Sequence, residues 1–282
     1  MDQRIINLFD EYTHKPLRRD DFMKRLAMIT GSMAAAIAVM PLLEVNYAQA
    51  ATVPDDNLVT EEITYPGDGT TMKAFMAMPK ESGKRGAVVV IHENRGLNPH
   101  IRDVAKRVAN AGYLALAPDA LSPLGGTPQN EDDARGMFGQ LDAEKNRNNF
   151  LKAFDFLRSK PESNGKTGVV GFCWGGALAN QMAVNSPQLN AAVSFYGTQP
   201  KAEDVPRIKC PVQMHYGALD ERINAGIPAY EAALKSAGIK YEIYIYEGAN
   251  HAFHNDTAPT RYNEAAAKLA WERTLRLFKE NL

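Results

Sequence analysis

Six consecutive residues, Gly171-Phe172-Cys173-Trp174-Gly175-Gly176, restrict the course of this chain more than any others. An apolar run, Thr167-Gly168-Val169-Val170, leads into them, and the small residues Ala177-Leu178-Ala179 lead out. The first run reads as a buried strand and the second as the opening of a helix. A strand that bends this sharply into a helix needs glycines two places before and after the bend, where backbone lies against backbone. The residue at the bend then projects alone, and here it is a cysteine. The first helical turn points free N–H groups and a partial positive charge at its sulfur, which favours thiolate. The N–H of Trp174 is aimed where an oxyanion would develop. The competing reading is an inert buried cysteine in a tight turn.

Around this segment, strands and helices alternate. Residues 59–78 hold two strand-like runs about Gly67-Asp68-Gly69, which predicts an antiparallel hairpin. Ala87-Val88-Val89-Val90-Ile91 suits a strand buried on both faces. Helical periodicity follows over 101–112, a short strand over 113–117, and a Gly/Pro/Ser-rich loop over 120–130. Helices are expected at 131–139, 143–160, 175–186, near 224–237 and from about 260 to the end, with strands at 167–172, 191–196, 211–216 and 241–246. Such alternation predicts an α/β domain over 58–282, with a mostly parallel sheet covered on both faces. No internal repeat is evident.

A cysteine at such a bend calls for partners later in the chain, in the order acid then histidine, as in the α/β-hydrolase fold. Asp220 ends Tyr216-Gly217-Ala218-Leu219-Asp220, just past an apolar strand, and His251 lies in Gly248-Ala249-Asn250-His251-Ala252-Phe253, just past another. Both loops belong to the carboxyl edge of the sheet, where ligands of open α/β sheets bind. Glu221 is the alternative acid, and His215 or His254 the alternative histidine. His251 and His254 have a spacing that suggests metal, but no third or fourth ligand is apparent, and neither a metal nor an organic cofactor is expected. Glu93 follows five apolar residues at the end of a central strand, a place where a charge more often serves function than decoration. Cys210, before Pro211 at the start of an apolar run, reads as a small buried hydrophobe. Two thiols make no disulfide framework, and both are expected to be free.

Residues 1–57 differ from the rest. Arg18, Arg19, Lys24 and Arg25 precede an uncharged stretch from Ala27 to Leu43, Ala48-Gln49-Ala50 supplies the small residues of a cleavage site, and Thr52-Val53-Pro54-Asp55-Asp56 reads as a linker. This layout is that of an export leader. The arginine pair before Phe22-Met23-Lys24 resembles a twin-arginine signal, with two acidic residues, Asp20 and Asp21, where one residue is usual. A periplasmic or exported protein is therefore expected. The alternative is a cytoplasmic protein that keeps the segment as an amphipathic arm, with helices on either side of Pro41, packed on the body or on a neighbouring subunit. The chain carries a formal net charge of −1 without a basic stripe, so no nucleic-acid partner is expected. Outside the leader no apolar run is long enough to span a bilayer. A homodimer is compatible with the sequence.

Taken together, His92-Glu93, the Gly171–Gly176 hexapeptide, the Gly217–Asp220 turn and the His251 loop resemble dienelactone hydrolase (carboxymethylenebutenolidase). The variant His92-Glu93-Asn94-Arg95-Gly96-Leu97-Asn98 with an export-like leader resembles exported members of that family. The resemblance covers residues 58–282. It implies an α/β-hydrolase fold, a small ester or lactone substrate, a Cys173–Asp220–His251 triad, and Glu93 as the group that accepts the thiol proton. It also implies an oxyanion hole made by the backbone N–H groups of Asn94 and Trp174. One departure bears on substrate. Where the family places two arginines on the substrate carboxylate, this chain has the arginine-free loop 120–126 and Asn255. Arg95 and Arg222 are the candidate substitutes, and Tyr196 a further candidate for substrate contact. A thioesterase or peptidase on the same fold, and a catalytically silent ligand-binding protein, are the alternative functions.

Overall fold

The computed structural model describes residues 1–47 and 53–282. The small residues Ala48-Gln49-Ala50 and Thr52 fall outside the described residues. The body is built on one eight-stranded sheet: β1 (Leu58–Pro66), β2 (Thr71–Pro79), β3 (Arg85–Ile91), β4 (Leu114–Pro118), β5 (Ser163–Phe172), β6 (Ala191–Phe195), β7 (Val212–Gly217) and β8 (Tyr241–Tyr246). Its spatial order is β1-β2-β4-β3-β5-β6-β7-β8. β1 and β2 form the expected hairpin, β2 joins β4 antiparallel, and every other pairing is parallel.

Strands buried on both faces lack an apolar/polar alternation, and β3 shows how the two faces are shared. Ala87, Val89 and Ile91 pack with Phe150, Phe154, Met182 and Leu234, which lie on α6 (Ala143–Arg158), α7 (Trp174–Asn185) and α9 (Ile227–Ser236). Val88 and Val90 pack with Ile101, Val104, Ala270 and Leu277, from α4 (Pro99–Asn110) and α10 (Glu264–Asn281) on the other face. Each parallel strand runs the same way, so the loops after β3, β5, β6, β7 and β8 all open at one edge. Glu93, Cys173, Tyr196, Asp220 and His251 lie on those loops.

Two boundaries differ from the periodicity. α4 begins at Pro99 rather than 101, because Asn98 caps it by accepting from the Ile101 amide at 3.1 Å and proline is pre-set for the first turn. The helix expected over 224–237 is split into α8 (Glu221–Asn224) and α9, which restarts with Pro228 in its first turn. A proline ring lacks the N–H that a continuous helix would need there.

The first 47 residues fold as α1 (Gln3–His14), α2 (Arg19–Thr30) and α3 (Met33–Leu43). The helix break lies at Gly31-Ser32, not at Pro41. Gly31 ends α2 in the left-handed region at φ 87°, and Ser32 caps α3 by accepting from the Ala35 amide. Pro41 sits inside α3, one turn from its end. Phe9, Tyr12, Phe22, Leu26, Ala36, Met40 and Leu43 form a small core separate from those of the sheet. Polar contacts tie this arm to the body: Gln3 donates to Asn250 at 2.5 Å, Arg222 pairs with Asp10 at 3.1 Å, and Arg19 pairs with Asp132 at 3.1 Å. Among the described residues no single helix is long and apolar enough to cross a membrane, and α2 and α3 pass that test only as a pair bent by 108°.

Candidate active site

Cys173 occupies the bend between β5 and α7 with φ 57° and ψ −115°, a conformation that costs a side-chain-bearing residue on the order of 1–3 kcal/mol. Neighbouring backbone explains the glycines. A Cβ on Gly171 would lie 1.9 Å from the Gly175 carbonyl oxygen, and one on Gly176 would lie 2.5 Å from that of Phe195. Among the described residues only Tyr196 (φ 40°) and Ala252 (φ 63°) share a positive φ without being glycine. All three belong to this site, so local strain is gathered where the loops converge.

His251 and Asp220 meet as the order of the motifs predicts. The His251 Nδ1–H donates to Asp220 Oδ2 at 2.6 Å, while Asp220 Oδ1 accepts from the Ile223 amide at 3.3 Å and caps α8. One carboxylate thus holds both a helix start and an imidazole. Since Nδ1 carries the hydrogen, the lone pair of the neutral ring sits on Nε2. That Nε2 is buried and has no hydrogen-bond partner among the described residues. The alternative residues lie elsewhere. His215 bonds Tyr246 and Gln213 inside the core, His254 packs on Phe172 and Phe195, and burial pushes both imidazoles well below their ordinary pKa. Glu221 is exposed in the first turn of α8, outside the hydrogen bond that Asp220 makes.

Trp174 is the first residue of α7, so its N–H has no partner within the helix. Asn94 lines the same cavity as Cys173 and Trp174. Glu93 is buried nearby, with Asn255 Nδ2 donating to it at 2.9 Å and the Tyr196 hydroxyl at 3.5 Å. Burial first, then the charges of Glu93 and Cys173, push the Tyr196 hydroxyl well above its ordinary value, so it remains a donor. Arg95 is held in a buried ion pair with Glu131, whereas Arg222 lines the cavity. Arg95 borders a smaller cleft beside Cys173, so the two candidate arginines flank the sulfur from different cavities. The cavity measures about 630 Å³ and is bounded by Phe138, Trp174, Tyr196 and Thr198 from the body, and by Thr13 to Leu17 from the arm.

That last contribution escapes sequence reasoning. His14, the final residue of α1, places Nε2 3.1 Å from the Cys173 sulfur, and its ring stands edge-on to His251 with centroids 4.6 Å apart. One ligand atom each from His14, Cys173 and His251 lies within 4.8 Å of the others. The only hint in the sequence is the i, i+4 spacing of Asp10 and His14 on an amphipathic helix.

Both cysteines are free, but they differ in kind. Cys210 is buried, and burial pushes its thiol up to about 12. Cys173 opens on the cavity. Iodoacetamide at pH 7.5 is expected to add one carbamidomethyl group to the native protein, on Cys173, with Cys210 modified only after denaturation. Peptide mass mapping checks this, and native labelling of Cys210 would contradict it.

A sharp strand-to-helix bend carrying a cavity-lining cysteine, with histidine and acid on later loops at one edge of a mostly parallel sheet, defines an α/β hydrolase. The dienelactone hydrolase family model matches residues 72–282. A protein of Escherichia coli O157:H7 named "Putative carboxymethylenebutenolidase" is 35% identical over 243 residues, covering 80% of this chain and 89% of that one. Among solved structures, a Klebsiella pneumoniae protein described as a "Putative Dienelactone Hydrolase" is 29% identical with a TM-score of 0.72, covering 79% of this chain and 98% of its own. A metagenomic dienelactone hydrolase-like promiscuous phosphotriesterase is 26% identical with a TM-score of 0.71, covering 80% and 99%. The chain belongs to the dienelactone hydrolase family and is a hydrolase of ester or lactone bonds.

Proposed function

We propose that the chain cleaves small esters or lactones through an acyl-enzyme on Cys173. The reading is carried by the alignment of the Asp220 carboxylate, the His251 ring and its unpartnered Nε2 beside a sulfur held in a strained bend. The thiolate attacks the carbonyl carbon, and the amides of Trp174 and Asn94 take up the oxyanion. The alcohol oxygen departs, and remains tethered to the acyl group when the substrate is a lactone. His251, oriented by Asp220, then removes a proton from water as the hydroxyl adds to the acyl carbon. Collapse expels the sulfur and releases the acid. A cavity of about 630 Å³ suits a small-molecule substrate, and Arg222 at its wall suits one bearing a carboxylate.

The test follows the covalent intermediate. Mixing the protein with a slowly deacylating aryl ester is expected to add the acyl mass to the Cys173 peptide. Asp220→Asn, which leaves the imidazole without its anionic partner, is expected to slow turnover by about 10²- to 10⁴-fold. Acyl mass on another residue, or turnover without any adduct under rapid quench, would remove the proposal.

A further inference from the structure

The thiol proton must leave Cys173 before its sulfur can attack, and the fold puts an imidazole from outside the triad on that sulfur. His14 Nδ1 lies 2.8 Å from the Asp10 backbone carbonyl and 3.0 Å from the Asp10 carboxylate. The two Asp10 oxygens can only accept, and the Thr13 hydroxyl 3.0 Å from Nδ1 gives its own hydrogen to the Phe9 and Asp10 carbonyls. Nδ1 therefore carries the ring hydrogen, and Nε2 offers its lone pair to the sulfur 3.1 Å away. Asp10 is itself held by Arg222 at 3.1 Å, and the arm's course past the site is fixed by Asn94, whose Nδ2 donates to the Thr13 carbonyl at 2.9 Å. Glu93 is engaged elsewhere, by Asn255 and Tyr196.

We propose that His14 is the base that takes the Cys173 thiol proton, so that arm and body together make the reactive centre. The inference rests on Cys173 being the nucleophile. In the first half-reaction the proton passes from sulfur to His14 Nε2, and the thiolate forms its bond to the carbonyl carbon. The imidazolium then returns that proton to the departing alcohol oxygen. In the second half-reaction His251 takes a proton from water and later restores it to the sulfur, so each imidazole ends as it began. The charged groups around His14 agree with this division. Burial opposes its protonation, but the Cys173 sulfur and Asp10 outweigh burial and the His251 ring, and hold the imidazole above its ordinary pKa. Burial would raise the Asp10 carboxyl, yet His251, His14 and Arg222 keep it well below the usual carboxylate range. Glu93, Arg95 and Arg261 border the same cleft. With α1 in place the 630 Å³ cavity stays open beside the sulfur, so the arm frames the site rather than filling it. This assignment requires the arm to be kept, not removed at Ala48-Gln49-Ala50.

The experiment uses the full chain, in buffer with EDTA, and follows p-nitrophenyl acetate by stopped flow together with the pH profile of iodoacetamide labelling. His14→Gln is expected to slow acylation and pH 7 labelling by about 10²-fold, with the labelling profile moved to alkaline pH and deacylation changed less than about twofold. Asp10→Asn should repeat the pattern more weakly, which guards against a misfolded His14 variant, and circular dichroism checks both folds. His251→Gln should show the reverse, acylating and then accumulating acyl-enzyme. The proposal is overturned by unchanged acylation and labelling in His14→Gln, or by faster turnover in that variant, which would make α1 a plug. It is equally overturned if the difference between the variants appears only without EDTA, which would make the three residues an ion site. A mature protein that starts after residue 50 in cells would also overturn it. Full activity in Cys173→Ala would instead strike the underlying nucleophile.

Discussion

Cys173→Ala is expected to lower kcat/KM for a small aryl ester by about 10⁴-fold or more, leaving only the background given by binding and the oxyanion amides. The reason is chemical rather than structural. Alanine keeps the Cβ and meets the same φ of 57° that cysteine already tolerates, so the bend, Trp174 and the start of α7 stay where they are. His251 keeps its bond to Asp220, and only the sulfur is gone. A matched thermal transition with lost turnover separates the nucleophile from its scaffold. Full activity in that variant would remove the nucleophile and the acyl-enzyme together.

Gly175→Ala is expected to damage the scaffold and the chemistry at once. The added Cβ would lie 2.4 Å from the carbonyl oxygens of both Ile91 and His92, and these are backbone atoms at the end of β3 with no rotamer to swing aside. Overpacking of this kind costs about 1–3 kcal/mol, and the rigid neighbours put this position at the upper end. The displacement falls on the turn that carries Glu93 and Asn94, so the proposed oxyanion site is expected to widen as stability drops. Gly136→Ala is the control. Its Cβ meets nothing within 4 Å and its backbone is helical, so stability should hold or rise by about 0.4–1 kcal/mol. Urea melts of the two variants test the contrast. Equal stability in both would mean that the close approach at Gly175 relaxes freely.

These two variants also mark how far the sequence could be read. The hexapeptide around Cys173 was legible because its constraint is local: a strand, a bend and a helix within a few residues admit only small neighbours. Asp220 and His251 were legible from chain order and from their places just past apolar strands. The α8–α9 break was legible in principle from Pro228, but the helical periodicity of the surrounding apolar residues masked it. The bend after Gly31 was missed because Pro41 looked the stronger breaker, although a proline near the end of a helix removes a bond only from its last turns. His14 could not have been found from pattern. It meets Cys173 across 159 residues, and its i, i+4 spacing from Asp10 does not by itself distinguish a helix-terminal histidine bound for a thiol from one bound for solvent. Composition gives the first 57 residues the layout of a leader, but composition carries no information about what a segment touches.

The arm keeps its own apolar cluster, and the links to the body described here are mostly polar, one of them the contact of His14 with the sulfur. Packing units of this kind open separately, each with its own free energy. The Cys173 thiol therefore stands at a seam, and mild denaturant is expected to reach its surroundings well before it reaches the sheet that holds it up. Thermal robustness of the eight strands is consequently a poor guide to how long such a centre stays assembled.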